Sequence, residues 1–134
     1  MAQGDIIPDG EKLYRYAKPE AFPPGQIELP DSIFNELELS CDWERYCSDP
    51  FQSYHISEGK TVVIQITVHE EIKYPTNPKR TGQRIKDWEQ EVIHDPIAAE
   101  DDIIHGANEA HSLIKGTKKA AVKNAIRNNS ERIN

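Results

Sequence analysis

The sequence has few cysteines and no apolar run long enough to span a membrane. Its two cysteines, Cys41 and Cys47, stand six positions apart, which neither supplies a disulfide scaffold nor matches the C-x-x-C spacing of zinc and redox motifs. The longest strongly apolar stretch, 61–68, contains Gln65 and Thr67, and it is far shorter than the roughly 20 residues of a transmembrane helix. The first ten residues lack the basic and apolar regions of a signal peptide. These absences predict a cytoplasmic protein with reduced thiols and no membrane contact.

The common sequence motifs of enzymes are also missing. The chain contains neither G-x-x-x-x-G-K-[ST] nor G-x-G-x-x-G, which cradle phosphates, and it contains no H-E-x-x-H, which binds zinc. No G-x-S-x-G elbow surrounds Ser40 or Ser112, the serines that we consider as nucleophiles. The sequence therefore predicts no cofactor.

Length and composition predict one modest globular domain. The 134 residues fit a single domain, since domains most often have about 100–150 residues. Hydrophobic residues make up 37% of the chain and glycine adds seven positions, so the apolar share lies near the lower end of the globular range. Nine prolines indicate long polar connections. We expect a flexible N-terminal segment at 1–10 and a single globular domain at 11–134.

The net charge of −7 is unevenly distributed. Residues 115–134 hold six basic residues and one acid, a net charge of +5, which leaves 10 basic and 22 acidic residues, a net charge of −12, in residues 1–114. Because neutralisation of phosphates drives nonspecific binding to nucleic acid, the acidic body argues against nucleic acid as a direct ligand. The basic tail is typical of a solvated helix face, and its alternative contacts are the acidic body, an acidic partner or a phosphate.

Alternation of apolar and polar residues predicts four strands. The clearest pattern lies in 60–72, where β-branched residues occupy one face. The pattern in 37–43 is typical of a half-buried strand, and shorter patterns near 12–16 and 110–115 predict two more. The apolar positions of the two longer patterns are Leu37, Leu39, Cys41, Trp43, Val62, Ile64, Ile66 and Val68.

Residues 117–131 have a composition that favours a helix. Val122, Ala125 and Ile126 fall on one stripe of that helix, and Thr117 stands where an N-cap is expected. The strands and this helix together predict an α+β fold. We expect a small mixed or antiparallel sheet with an amphipathic C-terminal helix packed on one face.

The segment between the third strand and the histidines permits two interpretations. Residues 73–86 form a long basic loop with two prolines, and loops of this length are often functional or disordered. We predict that a helix begins in the second half of this loop and covers 81–91. The competing interpretation is a strand over 88–93, because β-branched residues close the segment. The helical spacing rests on Ile85, Trp88 and Val92.

Three of the five histidines lie within 18 residues, at His94, His105 and His111. Because histidine titrates near physiological pH and often binds metals, this segment is the main candidate for chemistry. Glu109 shares a face with His111 if the segment is extended, whereas Asp95 is adjacent to His94 and points away from it. We therefore take His94, His105, Glu109 and His111 as candidate catalytic residues.

A simpler structural role for the same histidines is also consistent with the sequence. In that alternative His111 opens a strand and donates to a backbone carbonyl, while His94 and His105 lie exposed among acids. The spacing of the three residues matches no known pattern of helical metal ligands. No metal site is therefore predicted.

A second candidate site lies in the basic loop. Lys79, Arg80 and Arg84 follow one another closely there, and we take them as candidate phosphate-binding residues. Arginine forks and backbone N–H groups are the donors that bind phosphate oxygens in proteins.

The missing motifs favour a small interaction or regulatory module over an enzyme. Such a module is an adaptor, an inhibitor or a subunit of a larger complex, and its partner is another protein. The alternative hypothesis is a small hydrolase- or transferase-like enzyme that uses a histidine and carboxylate site. A phosphate-containing substrate is one form of that alternative.

Overall fold

In the part of the chain that the structure describes, six antiparallel strands form one sheet. The computed structural model describes residues 4–22, 24–25, 29–77, 79 and 83–134. The strands are β1 Lys12–Ala17, β2 Glu38–Trp43, β3 Val62–Thr67, β4 Glu91–His94, β5 His111–Lys115 and β6 Ser130–Arg132. Their order across the sheet is β4-β5-β2-β1-β3-β6. The helices are α1 Tyr54–Ser57, α2 Glu70–Lys73 and α3 Ala120–Asn128, so the predicted α+β fold is confirmed.

One face of the sheet carries the core. Helix α3 packs across this face through Val122, Ala125 and Ile126, the stripe that its sequence pattern predicts. Burial of an isoleucine of this kind stabilises the fold by roughly 1.5–3 kcal/mol. The strand residues of the same core cluster are Leu13, Leu39, Cys41, Trp43, Val62, Ile64, Ile66, Val92 and Ile114.

Helix α3 is shorter than the predicted 117–131 at both ends. At its start, the Lys118 ammonium donates to the carbonyls of Ile114 and Gly116 at 2.9 and 2.8 Å, and the helix begins only at Ala120. At its end, Asn129 Nδ2 and Ser130 Oγ donate to carbonyls of the last turn at 2.8 and 2.6 Å. These bonds satisfy carbonyls that a longer helix would use, and the chain continues as β6.

The predicted helix over 81–91 is wrong. The structure has a 3₁₀ helix at Lys86–Trp88, followed by strand β4. Pairing of Val92 with Ile114 of β5 and burial of Val92 to 2% exposure favour the strand over the helical spacing. Residues 81 and 82, the first two of the predicted helix, lie outside the described residues.

The strand predicted over 60–72 ends earlier, at Thr67. His69 then accepts a hydrogen bond from the backbone N–H of Glu71 through Nδ1, at 2.9 Å. That bond caps helix α2, whose Ile72 is buried. The apolar alternation continues past the strand because the first turn of α2 also buries one side chain against the core.

The segment 4–7, within the predicted flexible N-terminus, lies along the outer edge of β4. The N–H groups of Gly4 and Ile7 donate to carbonyls of His94 and Val92 at 2.6 and 2.9 Å. The side chain of Ile7 is fully buried. This segment therefore covers an edge whose backbone groups would otherwise be open to pairing.

The basic tail contacts the acidic body of the same chain. Arg127 forms an ion pair with Asp31, and its Nε donates to the carbonyl of Leu29 at 2.7 Å. Lys123 lies 3.8 Å from the same carboxylate. The sequence allows the basic tail to contact the acidic body, an acidic partner or a phosphate. The structure shows the contact with the acidic body. In the part of the chain that the structure describes, no helix is both long enough and apolar enough to cross a membrane.

Candidate functional site

The second face of the sheet carries a smaller hydrophobic cluster of Tyr14, Tyr16 and Val63. The polar part of this face, on β2 and β5, contains the candidate site. Side chains alternate along a strand, so Ser40 and Asp42 of β2 point away from the helix-covered core that buries Leu39 and Cys41. The register pairs Asp42 with His111 across β2 and β5, which brings the His111 ring to the same polar face. His111 Nε2 lies 3.1 Å from Ser40 Oγ.

Asp95 fixes the tautomer of His111. The backbone carbonyl of Asp95 lies 2.8 Å from His111 Nδ1, and its carboxylate Oδ2 lies 3.3 Å from the same nitrogen. Both oxygens are acceptors, so Nδ1 carries the hydrogen. In the neutral ring Nε2 is then an acceptor, and the Ser40 hydroxyl donates to it. This is the tautomer of a general base that is hydrogen-bonded to a serine.

Strand pairing positions Asp95 in this arrangement. Strand β4 pairs with β5 through His94 and Ser112, and just beyond it the N–H of Asp95 donates to the carbonyl of His111 at 2.8 Å. Asp95 and His111 therefore hold each other through one backbone bond and one side-chain bond. His111 is the anchored member of the candidate residues, with a side chain that is 15% exposed.

A partly enclosed cavity of about 200 Å³ opens beside Ser40 and His111. It forms where β1 and β2 diverge, since their pairing stops at Tyr14 and Asp42. The Arg15 guanidinium reaches across the gap, and its Nη1 donates to the carbonyl of Ser40 at 3.0 Å. The other walls are provided by Tyr16, Tyr54, His55 and Ile97.

Stacked aromatic rings form one wall of this cavity. His55 stands between Tyr16 and Tyr54, with ring centroids 4.6 and 4.1 Å away. Tyr54 in turn stacks on His105 at 3.8 Å. Burial lowers the pKa of His55, so this ring is neutral near pH 7.

A second cavity, of about 290 Å³, lies on the other side of Tyr54. Asp42 lines both cavities and is only 5% exposed. Its Oδ1 accepts a hydrogen bond from Asn108 Nδ2 at 3.0 Å. Burial first, and then the negative charge of Asp42, raise the pKa of the Cys47 thiol in the second cavity. Cys47 is therefore a poor nucleophile, because the thiolate is the reactive form.

The structure does not bring the three predicted histidines together. His94 lies on the core face, opposite His111, because it pairs with Ser112 rather than with His111. It is 1% exposed, not exposed among acids, and its ring stacks on Tyr46 at 4.9 Å. His94 Nε2 donates to the carbonyl of Glu109 at 2.6 Å. Glu109 therefore contacts His94 through its backbone carbonyl, whereas the sequence paired its side chain with His111.

His105 lies at the outer end of the aromatic stack. Its Nε2 lies 2.9 Å from Glu58 Oε2 and its Nδ1 lies 3.0 Å from Asp102 Oδ2. His105 packs on Tyr54, and Tyr54 packs on His55, which lines the cavity beside Ser40. His105 is therefore connected to Ser40 only through these rings. Of the four predicted catalytic residues, His111 alone contacts the candidate serine among the described residues.

The predicted phosphate-binding residues do not converge on either cavity. The Arg84 guanidinium forms an ion pair with Glu70 and lies over the ring of Tyr74, 4.8 Å from its centroid. Lys79 is exposed, and Arg80 lies outside the described residues. In the described ranges, no group of three or more His, Cys, Asp or Glu side chains is placed to hold a metal ion.

Sequence reasoning missed Asp95 and Asp42 as members of the site. It examined carboxylates within two positions of a histidine, whereas Asp95 reaches His111 across two paired strands. One signal was available. Ser40 and Asp42 stand on the polar side of a half-buried strand, so any histidine on a neighbouring strand in the right register would face them.

Known proteins provide no assignment for this arrangement. No protein-family model, no characterised protein and no solved structure matches the chain. The chemistry of the site therefore has to be argued from its own residues. A serine, histidine and carboxylate group recurs on unrelated folds and is recognised by geometry and roles rather than by sequence position.

Proposed function

We propose that the protein is a small hydrolase or transferase with Ser40 as nucleophile, His111 as general base and Asp95 as the residue that orients the base. The observation that carries the proposal is the hydrogen bond between Ser40 Oγ and His111 Nε2, at 3.1 Å. His111 Nδ1 donates to the backbone carbonyl of Asp95 at 2.8 Å and lies 3.3 Å from the carboxylate of the same residue. The distance between Ser40 Oγ and His111 Nε2 lies within the range in which a serine transfers its proton to histidine. This proposal follows the second hypothesis from the sequence, a hydrolase- or transferase-like enzyme. Its carboxylate is Asp95 instead of the predicted Glu109.

The reaction is an acyl transfer. Ser40 Oγ attacks the carbonyl carbon of an ester or amide, a new C–O bond forms, and the hydroxyl proton moves to His111 Nε2. The bond to the leaving group then breaks, and the leaving group takes that proton. Water, or another acceptor in a transferase, loses a proton to His111 and attacks the acyl group. The bond between the acyl carbon and Ser40 Oγ then breaks, and His111 returns its proton to Ser40 Oγ. The product that leaves is the acid when water attacks, or the acylated acceptor in a transferase.

The charges of the site favour an acyl over a phosphoryl substrate. The carboxylates of Asp42 and Asp95 lie beside Ser40 and His111, and they repel a phosphate. Arg15 is near, yet its guanidinium is paired with Glu36 at 3.0 Å. Arg84 is paired with Glu70. A phosphate-containing substrate is therefore the less favoured form of this function.

The direct test is hydrolysis of 4-nitrophenyl acetate, with 4-nitrophenyl phosphate as the competing substrate. We expect Ser40→Ala and His111→Gln to lower kcat by about 100-fold or more, since a positioned base and nucleophile contribute at least that much. The matched control is Ser57→Ala, because the Ser57 hydroxyl donates only to the carbonyl of Tyr54 on an exposed turn. A fluorophosphonate probe should modify Ser40 covalently. Full activity in Ser40→Ala would exclude the proposal.

An interaction module is the second candidate function, and one observation favours it. Ile103 and Ile104 are adjacent and 91% and 87% exposed, at the tip of the segment that carries Asp95 and His105. Adjacent exposed isoleucines are typical of a contact surface for another protein. A photo-crosslinking residue at position 104 should capture one defined partner. A residue at exposed Leu37 is the control, and equal capture at both positions would contradict an interaction through this tip.

The proposed location is the cytoplasm. Both cysteines are free thiols, which is consistent with a reducing compartment. Fractionation of cells that express the tagged chain checks this directly. Recovery in an oxidising compartment would contradict it.

A further inference from the structure

The carboxylate of Asp42 stands at the junction of the two cavities. It lies two residues from Ser40 on the same face of β2. It lines both the smaller cavity, which opens beside Ser40, and the second, larger cavity on the other side of Tyr54. Asn108 donates to Oδ1 at 3.0 Å. No group in the described ranges donates to Oδ2. A carboxylate that is 5% exposed and has an acceptor oxygen to spare is expensive to bury, so it is suited to a ligand that donates to it.

The larger cavity has a negative character. Its charged lining residues are Asp42 and Asp49, and no lysine, arginine or histidine of the described ranges lines it. The smaller cavity does contain cations. Arg15 is paired there with Glu36 at 3.0 Å, and Lys60 is exposed. A positive group on a ligand is therefore favoured on the Asp49 side of Asp42 and away from Lys60.

We propose that Asp42 binds a primary ammonium group, so that the substrates are acyl compounds with an amino group close to the scissile carbonyl. The inference rests on the proposed hydrolytic function of Ser40 and names its substrate class. The ammonium donates to Oδ2, the acyl chain passes Tyr54, and the carbonyl carbon lies at Ser40 Oγ. The negative charge of the chain, −7 overall, also attracts a cationic substrate.

Spacing and size limit the acyl group. Residues two apart on one strand are about 6.7 Å apart. A charged hydrogen bond to Asp42 and a near-attack contact at Ser40 each reach about 3 Å from those side chains, so an ammonium and a carbonyl carbon that are a few bonds apart can contact both residues. The cavity of about 200 Å³ is little larger than the roughly 150 Å³ that encloses a benzene ring. Short aminoacyl groups fit these limits.

The test compares two substrates that differ in one group. β-Alanine 4-nitroanilide carries an ammonium where butyric acid 4-nitroanilide carries a methyl group, and the rest of the acyl chain is the same. We expect the protein to prefer the β-alanine compound by about tenfold or more in kcat/KM, as a charged hydrogen bond provides. Equal rates for the two compounds would overturn the proposal.

Asp42→Asn is the informative variant. An asparagine retains an oxygen for Asn108 and loses the charge, so we expect the ratio of the two kcat/KM values to fall to about one. Asp9→Asn is the control, since its partner Lys73, at 2.9 Å, lines neither of the two cavities. A preference that survives in Asp42→Asn would assign amine binding to another residue and overturn the proposal.

Binding separates this inference from the proposed function. β-Alaninamide and butyramide are titrated into the unaltered protein and into Ser40→Ala, and amide chemical shifts of residues 40–42 are followed by NMR. Selective binding of β-alaninamide without hydrolysis of any ester would support the amine site and exclude the hydrolase. Hydrolysis of 4-nitrophenyl acetate without selective binding would support the hydrolase and exclude the amine site. Neither measurement requires that Asp42→Asn folds.

Discussion

The ring of His105 stacks on the ring of Tyr54, with their centroids 3.8 Å apart. Glu58 and Asp102 lie on the two nitrogens of the same imidazole, at 2.9 and 3.0 Å. Glu58 follows helix α1, whereas Asp102 and His105 belong to the segment that also supplies Asp95. The contact therefore fastens that segment over the aromatic wall of the cavity.

The first prediction concerns the pH dependence of this contact. Hydrogen bonds to Glu58 and Asp102 raise the pKa of His105 above its ordinary 6.5, and the His105 contacts lower the pKa of Glu58 and Asp102 below 4.5 and 3.8. The contact is therefore complete between about pH 4.5 and 6.5. It weakens as pH rises through the pKa of His105, and as pH falls through the pKa values of the two acids.

Hydrogen exchange of the 98–106 backbone, corrected for the intrinsic rate, measures this dependence. We expect exchange in this segment to be faster at pH 8 than at pH 6, because the His105 ring loses its charge as the pH rises through its raised pKa. His105→Gln should exchange fast at both values, whereas His69→Gln should retain the difference of the unaltered protein. Equal protection at both pH values in the unaltered protein would contradict the prediction.

The sequence predicts the sheet and the helix because these depend on local alternation and spacing. The pattern of Leu39, Cys41 and Trp43 against Ser40 and Asp42 gives both the strand and the face that each residue occupies. Strand β4 was misread because Ile85, Trp88 and Val92 have helical spacing by coincidence. Pairing with β5, which is a tertiary effect, decides that segment.

The candidate site is predicted only in part. His111 can be identified from its residue type. Its ring donates to the backbone carbonyl of Asp95, as the simpler structural role for His111 predicts. The contact to Ser40 depends on the register of β2 against β5, across 71 residues. Nothing local in the sequence encodes that register. The closeness of Asp95 to His111 likewise follows from the pairing of β4 with β5.

The second prediction compares the same substitution at a buried and an exposed isoleucine. Ile126 lies on the buried side of α3 and is fully buried, whereas Ile104 is 87% exposed. We expect Ile126→Ala to lower the free energy of unfolding by about 2–5 kcal/mol, since it removes buried methyl groups and leaves a cavity. Ile104→Ala should change it by less than about 0.5 kcal/mol. Urea unfolding followed by tryptophan fluorescence measures both. Similar losses for the two variants would show that α3 does not pack as described.

The third prediction concerns Gly116, which has a φ of +146°. A Cβ atom at this position would lie 2.6 Å from Gln90 Nε2. That nitrogen donates to the carbonyls of Trp88 and Thr117, both at 2.9 Å, so the amide has little freedom to move. We expect Gly116→Ala to destabilise the protein by about 1–3 kcal/mol.

A double-mutant cycle identifies the cause of that loss. Gln90→Ala removes the atoms that the new methyl group would meet, so Gly116→Ala should cost less in that background than in the unaltered protein. Unfolding free energies of the four proteins, from urea titration, give the interaction energy. Strict additivity would mean that backbone strain alone, and not the contact with Gln90, accounts for the effect.

The fourth prediction concerns the two thiols. Cys41 is 3% exposed, and burial raises the pKa of its thiol to about 12. It should therefore not react with an aromatic disulfide reagent at about pH 7.5 until the protein unfolds. Cys47 lines the larger cavity and should react slowly, because burial and then the charge of Asp42 raise its pKa.

The same reagent reports the charge of Asp42. Asp42→Asn removes the negative charge, which lowers the pKa of the Cys47 thiol, raises its thiolate fraction and accelerates its modification. Cys47→Ser should abolish the slow native reaction and leave a single thiol that reacts only in denaturant. If Asp42→Asn left the rate at Cys47 unchanged, while circular dichroism showed an intact fold, then Asp42 would not carry its charge beside this cavity. The amine-binding role of Asp42 would fail with it, since both depend on the same carboxylate.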